Sequence, residues 1–370
     1  MLQIGIVGAG ASGLLLALLL QRQGHAVQLF ERAPELRSEG CGILLVRAGV
    51  ETIAASGVPG LLEELLAAGL PVQRFVVRNL RGDTINTSPA ERAPGELPSL
   101  LVPRRAILNA LWHQLDPACF RGGSELESWE ELADGAVEAR FADGHRWRGD
   151  LLVGADGLFS RVARGVAPQR QLRYLGDRVW RGVVDDDSIC RDGSFFVYAR
   201  GRGIYANCFD LGPGPDGRPR THWGFFQEEP LPASRAEQRR LLAEPVPAAA
   251  LAKLPADVAA LIAATPAHEV VANWSFDIDP LPALVKGPAA LIGDAAHAMS
   301  SSQARGMTAG LEDALALARQ LAGTSNGAEA SAALQAWQAE RLPVVHAYQE
   351  QSRSVSRRTG RLRPPSTGQA

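Results

Sequence analysis

From Ile4 to Leu20 the chain carries no charged residue, and the character of the run changes partway along it. Gln3–Val7 is an apolar stretch of strand length, a glycine cluster follows, and a leucine-rich segment of helical length runs from about Ser12 to Gln23 before Gly24. His25–Glu31 then alternates apolar and polar positions as a half-buried strand does. Strand, glycine turn, helix and strand predict an opening βαβ unit. The run does not read as a signal peptide or a membrane span. No Lys or Arg precedes it, it contains four glycines, and no small-residue cleavage site follows; a span needs about 20 apolar residues.

Further along, helical periodicity appears over Gly49–Ser56 and Leu61–Leu70, and Pro103 precedes a helix, Arg104–Leu115, with Ile107, Leu108, Leu111 and Leu115 on one face. Ala136–Phe141 and Arg146–Val153 read as antiparallel strands joined at Asp143-Gly144. The stretch from Arg173 to Phe226 is rich in aromatic residues and valine with glycine turns between, which predicts a three- or four-stranded sheet. Pro230–Pro266 is helical but punctuated by proline, and Asn273–Ile278 is another strand. Ala289–Ile292 is a short buried strand, Gly306–Leu321 a long helix, and Ala328–Arg353 a helix interrupted near Pro343. The last residues, 361–370, have nothing to bury and predict a mobile tail. No internal repeat is visible, which removes solenoids and propellers.

Composition narrows the class without deciding it. The 370 residues are 46% hydrophobic and 21% charged, ordinary for a globular protein and incompatible with wholesale disorder. The formal net charge of −2 argues against a dedicated nucleic-acid binder, whose phosphate contacts need a basic face. Cys41, Cys119, Cys190 and Cys208 are scattered with no C-x-x-C, so they read as reduced thiols of a cytoplasmic protein, and neither they nor the histidines have metal-ligand spacing. The reading is therefore no metal, no nucleic acid and no integral membrane segment, in a monomer or homodimer.

The candidate chemistry sits at three glycine turns. In Gly8-Ala9-Gly10-Ala11-Ser12-Gly13, Gly8 permits the tight turn, Gly10 lets a pyrophosphate approach the backbone, and Gly13 lets the helix pack on the strand. Glu31 ends the second strand about 20 residues on, where an acid accepts both ribose hydroxyls of an adenosine. This turn alone does not separate NAD from FAD. The second turn, Leu151–Gly157, delivers Asp156 and Gly157 at the end of an apolar strand; Asp156 is either a ligand-side acid or the cap of the following helix. The third delivers Gly293 and Asp294 in the same way, followed by Gly306 and Met307 at a helix start; Asp294 suits a polyol chain and the N–H groups of Gly306–Thr308 an anionic or carbonyl edge.

In order and spacing these three turns resemble the p-hydroxybenzoate hydroxylase family, the single-component (class A) FAD-dependent aromatic monooxygenases, from Ile4 to about Arg341. The resemblance implies an α/β protein: a Rossmann-type FAD-binding domain (GR2/PHBH-like) at 1–70, 100–172 and 279–325, interleaved with a mostly antiparallel β-sheet substrate domain at 71–99 and 173–278. A C-terminal helical segment at 326–360 and the tail at 361–370 complete it. It implies FAD bound tightly and non-covalently by Gly8, Gly10, Ala11, Ser12, Gly13 and Glu31, with Arg32 flanking the adenosine and Gly42, in the glycine loop Glu39–Ile43, over the cofactor. Arg105, as the arginine of a Pro-Arg-x-x-Leu helix, together with Asp156, Gly157, Gly293, Asp294, Gly306 and Met307, completes the FAD set. NAD(P)H is then a transient co-substrate, with O2 and a small aromatic substrate, and hydroxylation proceeds through a flavin C4a-hydroperoxide. Trp180-Arg181-Gly182 matches the start of the family's substrate sheet; Arg181, Tyr198, Tyr205, His222 and Trp223 are the substrate-side candidates, and no residue stands out as catalytic base.

The chain departs from the family pattern at Ser301, where proline is usual, at Ala304 and Thr308, where glycine and asparagine are usual, and at Ala163, where an arginine is expected and Arg161 and Arg164 lie near. These departures border the flavin ring, so two alternatives stand beside the hydroxylase. One is an FAD-dependent oxidase, dehydrogenase or reductase on the same fold. The other is a non-catalytic flavin-binding protein.

Overall fold

The computed structural model describes residues 1–36 and 41–358. Glu39 and Gly40 of the expected cofactor loop and the tail at 361–370 lie outside the described residues.

The opening βαβ unit forms as the pattern predicts. Gln3–Val7 and Ala26–Phe30 pair in parallel across the helix Ala11–Arg22. That helix is hydrophobic nearly all round, and Leu14, Leu15, Leu16, Leu18 and Leu20 are all buried, so it lies inside the core rather than on its surface. Leu151–Gly154 and Ala289–Leu291 extend the sheet in parallel on the other side of Gln3–Val7, with Phe120–Arg121 at one edge and Val285–Lys286 at the other. Both later glycine turns therefore leave the same, carboxyl-terminal, edge of one sheet as the first, which is where ligands lie in open α/β sheets. Arg146–Val153 is not one strand: Arg146–Gly149 joins a three-stranded antiparallel sheet with Val137–Phe141 and Leu126–Glu131, and Leu151–Gly154 crosses into the parallel sheet.

The aromatic middle of the chain supplies four strands, as its pattern allowed, to a larger sheet. That sheet has seven strands in the order Val270–Ile278, Leu172–Val184, Pro219–Glu228, Ile204–Pro213, Ser194–Gly201, Arg74–Arg78 and Thr84–Pro89. The last two strands come from within 71–99 and the first, which includes the predicted strand Asn273–Ile278, from beyond the intervening helices. All pairs are antiparallel except Ser194–Gly201 with Arg74–Arg78.

This sheet has two unlike faces. Trp180, Phe196, Tyr198, Ala206, Cys208, Trp223 and Phe225 point outward and are buried under Val258, Leu261 and Ile262 of the helix Ala256–Ala264. Arg181, Phe195, Val197, Tyr205, Asn207, Phe209, His222 and Phe226 alternate onto the inner face, where several remain only half-buried. Arg200 is committed within the sheet: it pairs with Asp177 at 2.9 Å and Glu228 at 2.9 Å.

The C-terminal helix is continuous from Gly327 to Arg358 and runs through Pro343. A proline there costs about 3 kcal/mol in an isolated helix. Burial of Leu334, Trp337 and Val345 against the core offsets that, since each such side chain contributes about 1.5–3 kcal/mol. Among the described residues no helix is long and apolar enough to cross a membrane.

Candidate functional site

A groove of about 390 Å³ runs along the carboxyl-terminal edge of the parallel sheet. Gly8, Gly10, Glu31, Arg32, Asp156 and Gly157 line it, with Arg104, Leu108, Arg161, Phe159 and Val271. The three glycines of the first turn do different work. Gly8 sits at φ +107°, and a Cβ there would stand 2.4 Å from the Ala155 carbonyl oxygen; a Cβ on Gly13 would stand 2.0 Å from the Gly8 oxygen. Around Gly10 nothing lies within 4 Å, so its bare backbone faces open groove. No side chain caps the helix Ala11–Arg22, which leaves its first N–H groups and positive dipole end turned to that space. Ala11 is buried behind the turn. Ser12 packs instead at a helix crossing: its Oγ lies 2.2 Å from where a Gly310 Cβ would be.

Glu31 closes the far end of the turn. One carboxylate oxygen accepts from the Ala9 N–H and the other from the Ala33 N–H, both at 3.0 Å. The carboxylate is thereby fixed in orientation while each oxygen keeps a lone pair toward the groove.

The second turn does both things the sequence allowed. Asp156 accepts from Ser160 Oγ at 2.5 Å, Arg161 N at 2.6 Å and Val162 N at 3.3 Å, capping the Val162–Val166 helix, and it also lines the groove. Burial raises its pKa, opposed by these hydrogen bonds. Arg161 is held by Glu125 at 2.5 Å, and Ala163 is buried. The arginine that bridges this region is Arg170, which donates to the Leu158 carbonyl at 2.7 Å and to the Asp294 carbonyl at 3.1 Å, tying the second turn to the third.

At the third turn Gly293 has φ +59°, and its N–H donates to Asp313 Oδ2 at 3.0 Å. Asp313 also accepts from Arg341 Nε at 2.9 Å and faces His297 Nε2 at 2.5 Å, all three side chains being buried. Asp294 differs: its carboxylate is exposed and no protein donor reaches it among the described residues. Crowding by protein on its other sides raises its pKa, with His297, Arg170 and Arg104 opposing. No side chain caps the helix starting at Gly306, and half-buried Met307 packs on the core. Ala304 adopts φ +53°, a left-handed conformation costly for any side chain and natural for the glycine its family position would carry. The Thr308 hydroxyl is buried with no partner among the described residues.

Arg105 is a correction. It is exposed and lines a second cavity with Arg220 and Asp216, while its neighbour Arg104 lines the groove. The missed signal was helical spacing. Arg104 and Leu108 are four residues apart and share the groove-facing stripe, whereas Arg105 is turned about 100° away.

The substrate-side candidates divide by sheet parity. Tyr198 and Trp223 lie on the outer face and not at the cleft: both are fully buried, Trp223 Nε1 donates to Thr265 Oγ1 at 2.7 Å, and burial pushes the Tyr198 phenol above its ordinary range. Arg181, Tyr205 and His222 lie on the inner face. His222 cannot serve as a base there. Its Nδ1 accepts from the Gly42 N–H at 3.0 Å, its ring is also hydrogen-bonded to the Gly182 backbone, and burial together with nearby Arg181 lowers its pKa to about 3. Gly42 is thus a seam rather than a groove residue: a Cβ on it would meet Phe209, His222 and Leu211 at 2.6–2.9 Å. Asn207 and Asn273, which sequence reasoning did not single out, join Arg181 on this face.

Against known proteins, a family model described as FAD binding domain matches residues 1–352. The aurachin C monooxygenase/isomerase of Stigmatella aurantiaca is 32% identical over 352 residues, covering 92% of this chain and 85% of its own length. The salicylate hydroxylase of Pseudomonas putida is 33% identical over 355 residues, covering 87% and 78%. Among solved structures, HpxO of Klebsiella pneumoniae complexed with FAD and uric acid superposes with a TM-score of 0.81 at 28% identity, over 96% of this chain and 88% of that one.

Proposed function

Because this chain belongs to the FAD-binding family of p-hydroxybenzoate hydroxylase-like (class A) monooxygenases, we propose that it uses FAD, NAD(P)H and O2 to hydroxylate an aromatic or heteroaromatic small molecule. The observation that carries this reading is a shared wall. Val271 lines the nucleotide groove and is the direct cross-strand partner of Arg181 on the inner sheet face, so the groove opens onto a half-buried, largely apolar surface.

The residues present fit FAD. Gly10 leaves a cradle for the diphosphate beside the uncapped helix end, Glu31 has lone pairs for ribose hydroxyls, and the exposed Asp294 carboxylate has room to accept from a polyol chain. Arg32, Arg104 and Gly157 line the same groove, where Arg32 would flank the adenosine, and the uncapped N–H groups from Gly306 would meet the flavin end. When bound, FAD supplies the redox chemistry, taking a hydride from NAD(P)H and activating O2 for transfer of one oxygen atom. The protein's part is to hold, orient and dry. Phe195, Val197, Phe209 and Phe226 wall the inner face against water, which would divert the oxygen to peroxide. Neutral His222 holds the Gly42 strand against that wall rather than moving a proton. We place the enzyme in the cytoplasm as a monomer or homodimer, a reading supported by its four unpaired cysteines.

The purified protein is expected to be yellow, to oxidise NAD(P)H faster with an aromatic effector present, and to release a product heavier by one oxygen atom. Peroxide formed in step with NAD(P)H use, with no oxygenated product for any effector, points to the oxidase or reductase alternative. NAD(P)H oxidation no faster than with free flavin points to a binding protein. Fluorescence titration of the apoprotein with FAD separates the two neighbouring arginines: Arg104→Ala is expected to weaken binding about tenfold, the loss of one charge-assisted contact, and Arg105→Ala to leave it unchanged.

A further inference from the structure

The stretch 298–305 joins the short helix Asp294–His297 to the uncapped start of the helix Gly306–Leu321, so its course decides how the Asp294 carboxylate stands to the N–H groups from Gly306. The two are close: a Cβ on Gly306 would lie 3.8 Å from Asp294 Oδ1. The sequence of the stretch does little to stiffen it. Serine stands at 301, where the family pattern has a proline that fixes φ, and Ala304 takes φ +53°, where glycine would be relaxed. Serine widens the choices of the unfolded chain, and alanine strains the folded one. Such a conformation persists only where its surroundings impose it.

The surroundings are the C-terminal helix Gly327–Arg358, which meets the stretch at three points. At the start of the stretch, Gln349 Nε2 donates to the Ala298 carbonyl at 3.3 Å and to the neighbouring Ile278 carbonyl at 3.1 Å. At its end, the Arg305 guanidinium lies 5.2 Å from the centre of the Tyr348 ring. Between these is a cluster of hydroxyls. Ser300 Oγ lies 2.8 Å from Ser352 Oγ and 2.7 Å from Ser356 Oγ. Ser352 Oγ also donates to the Ser300 carbonyl at 2.8 Å, and Ser302 Oγ donates to the Ser352 carbonyl at 2.9 Å. Gln349, Ser352 and Ser356 recur every three or four residues and share one helix stripe, which is polar and yet buried. A buried hydroxyl is destabilising unless it is hydrogen-bonded, and a bonded cluster fixes one arrangement of the groups around it.

We propose that the Ser300–Ser352–Ser356 cluster makes the C-terminal helix a positioning element of the flavin site. It holds 298–305 in the course that a proline at 301 would otherwise enforce, and so sets Gly306 against Asp294. The proposal rests on the FAD reading and gives a part in it to residues outside the groove. The backbone suits the ring it lacks: Ser300 has φ −64° and ψ 148°, the extended conformation that a following proline demands, and Ser301 opens a single helical turn, where proline is tolerated.

The test compares wild type, Ser352→Ala and the double variant Ser352→Ala with Ser301→Pro, by amide hydrogen exchange on the apoprotein, titration of apoprotein with FAD, and absorbance of the bound flavin. In Ser352→Ala, exchange over 298–306 is expected to quicken about tenfold, the size of one or two lost hydrogen bonds, and FAD to bind about tenfold more weakly with a shifted flavin spectrum. Exchange in the helix Ala11–Arg22 is expected to stay as in wild type. Adding Ser301→Pro, which restores no hydrogen bond to the C-terminal helix, is expected to recover loop protection and FAD affinity together. Ser356→Ala leaves the Ser300–Ser352 pair in place and carries the test if Ser352→Ala does not fold, with the same pattern expected at smaller size. A lower melting temperature with unchanged FAD affinity and spectrum would reduce the cluster to a structural one and overturn the proposal. Unchanged exchange over 298–306, or no recovery with Ser301→Pro, would overturn it as well. Failure of the FAD reading shows separately, as wild-type protein that binds no FAD whatever its loop exchange.

Discussion

Gly10→Val is expected to yield a folded but colourless protein. Gly10 has φ −77° and ψ 178°, extended backbone that valine adopts readily, and the position where its side chain would stand is clear of protein for 4 Å. The fold therefore has no reason to object, and the melting temperature of the variant is expected to match that of wild-type apoprotein. The same open space is what a diphosphate needs in order to reach the uncapped N–H groups of the Ala11–Arg22 helix. Filling it removes two charge-assisted hydrogen bonds of about 1.5–3 kcal/mol each, a loss of roughly a hundredfold to ten-thousandfold in affinity. Titration of apoprotein with FAD checks this. Gly13→Ala provides the contrast, because its Cβ would collide with the Gly8 carbonyl at 2.0 Å and destabilise the turn itself. If Gly10→Val retained FAD at wild-type affinity, the diphosphate would have to lie elsewhere.

Asp313→Ala is expected to cost the protein about 3–5 kcal/mol, the penalty for leaving buried charges without their partner, and to lower its melting temperature on the order of 10 °C. Asp313 stands among His297, Arg341 and the Gly293 N–H, so its removal strands the buried His297, leaves Arg341 with Glu312 alone and frees the third turn. Burial alone would lower the His297 pKa, but the charge and hydrogen bond of Asp313 outweigh it and raise the value above the ordinary 6.5. Burial alone would raise the Asp313 pKa, but His297 and Arg341 outweigh that and lower it below the ordinary 3.8. The signs set a window. The histidine's contribution is complete below 6.5 and fades as pH climbs through its raised folded value, while the aspartate's is complete above 3.8 and fades as pH falls through its lowered one. Thermal melts against pH are expected to show the deficit of the variant at full size between those limits and shrinking outside them. Because Gly293 is held by the same carboxylate, the variant is also expected to bind FAD more weakly.

How much of this site was legible beforehand depended on the range of the signal. Gly8, Gly10, Gly13 and Glu31 declared themselves because their chemistry is local: strand, turn and helix follow one another within thirty residues, Gly8 and Gly13 answer steric demands of their neighbours, and Gly10 keeps the groove side of the backbone bare. Arg104 was mistaken for Arg105 because a three-residue motif admits two alignments in Pro103-Arg104-Arg105, and rotation about the helix axis decides between them. Tyr198 and Trp223 were misplaced because strand alternation states that neighbours face opposite ways without saying which face meets the cofactor.

By its own pattern, then, the chain dictated the βαβ nucleotide unit, the two later strands that end in an acid beside a glycine, and the aromatic sheet, since each follows from side-chain period and backbone sterics within one segment. Tertiary structure alone decided which face of that sheet stays half-buried, which arginine enters the groove, that Arg170 bridges the second and third turns, and that Arg181 meets the Asn273 amide. Those outcomes depend on which groups from distant segments arrive next to one another, and charge pairing and burial have no one-dimensional signature.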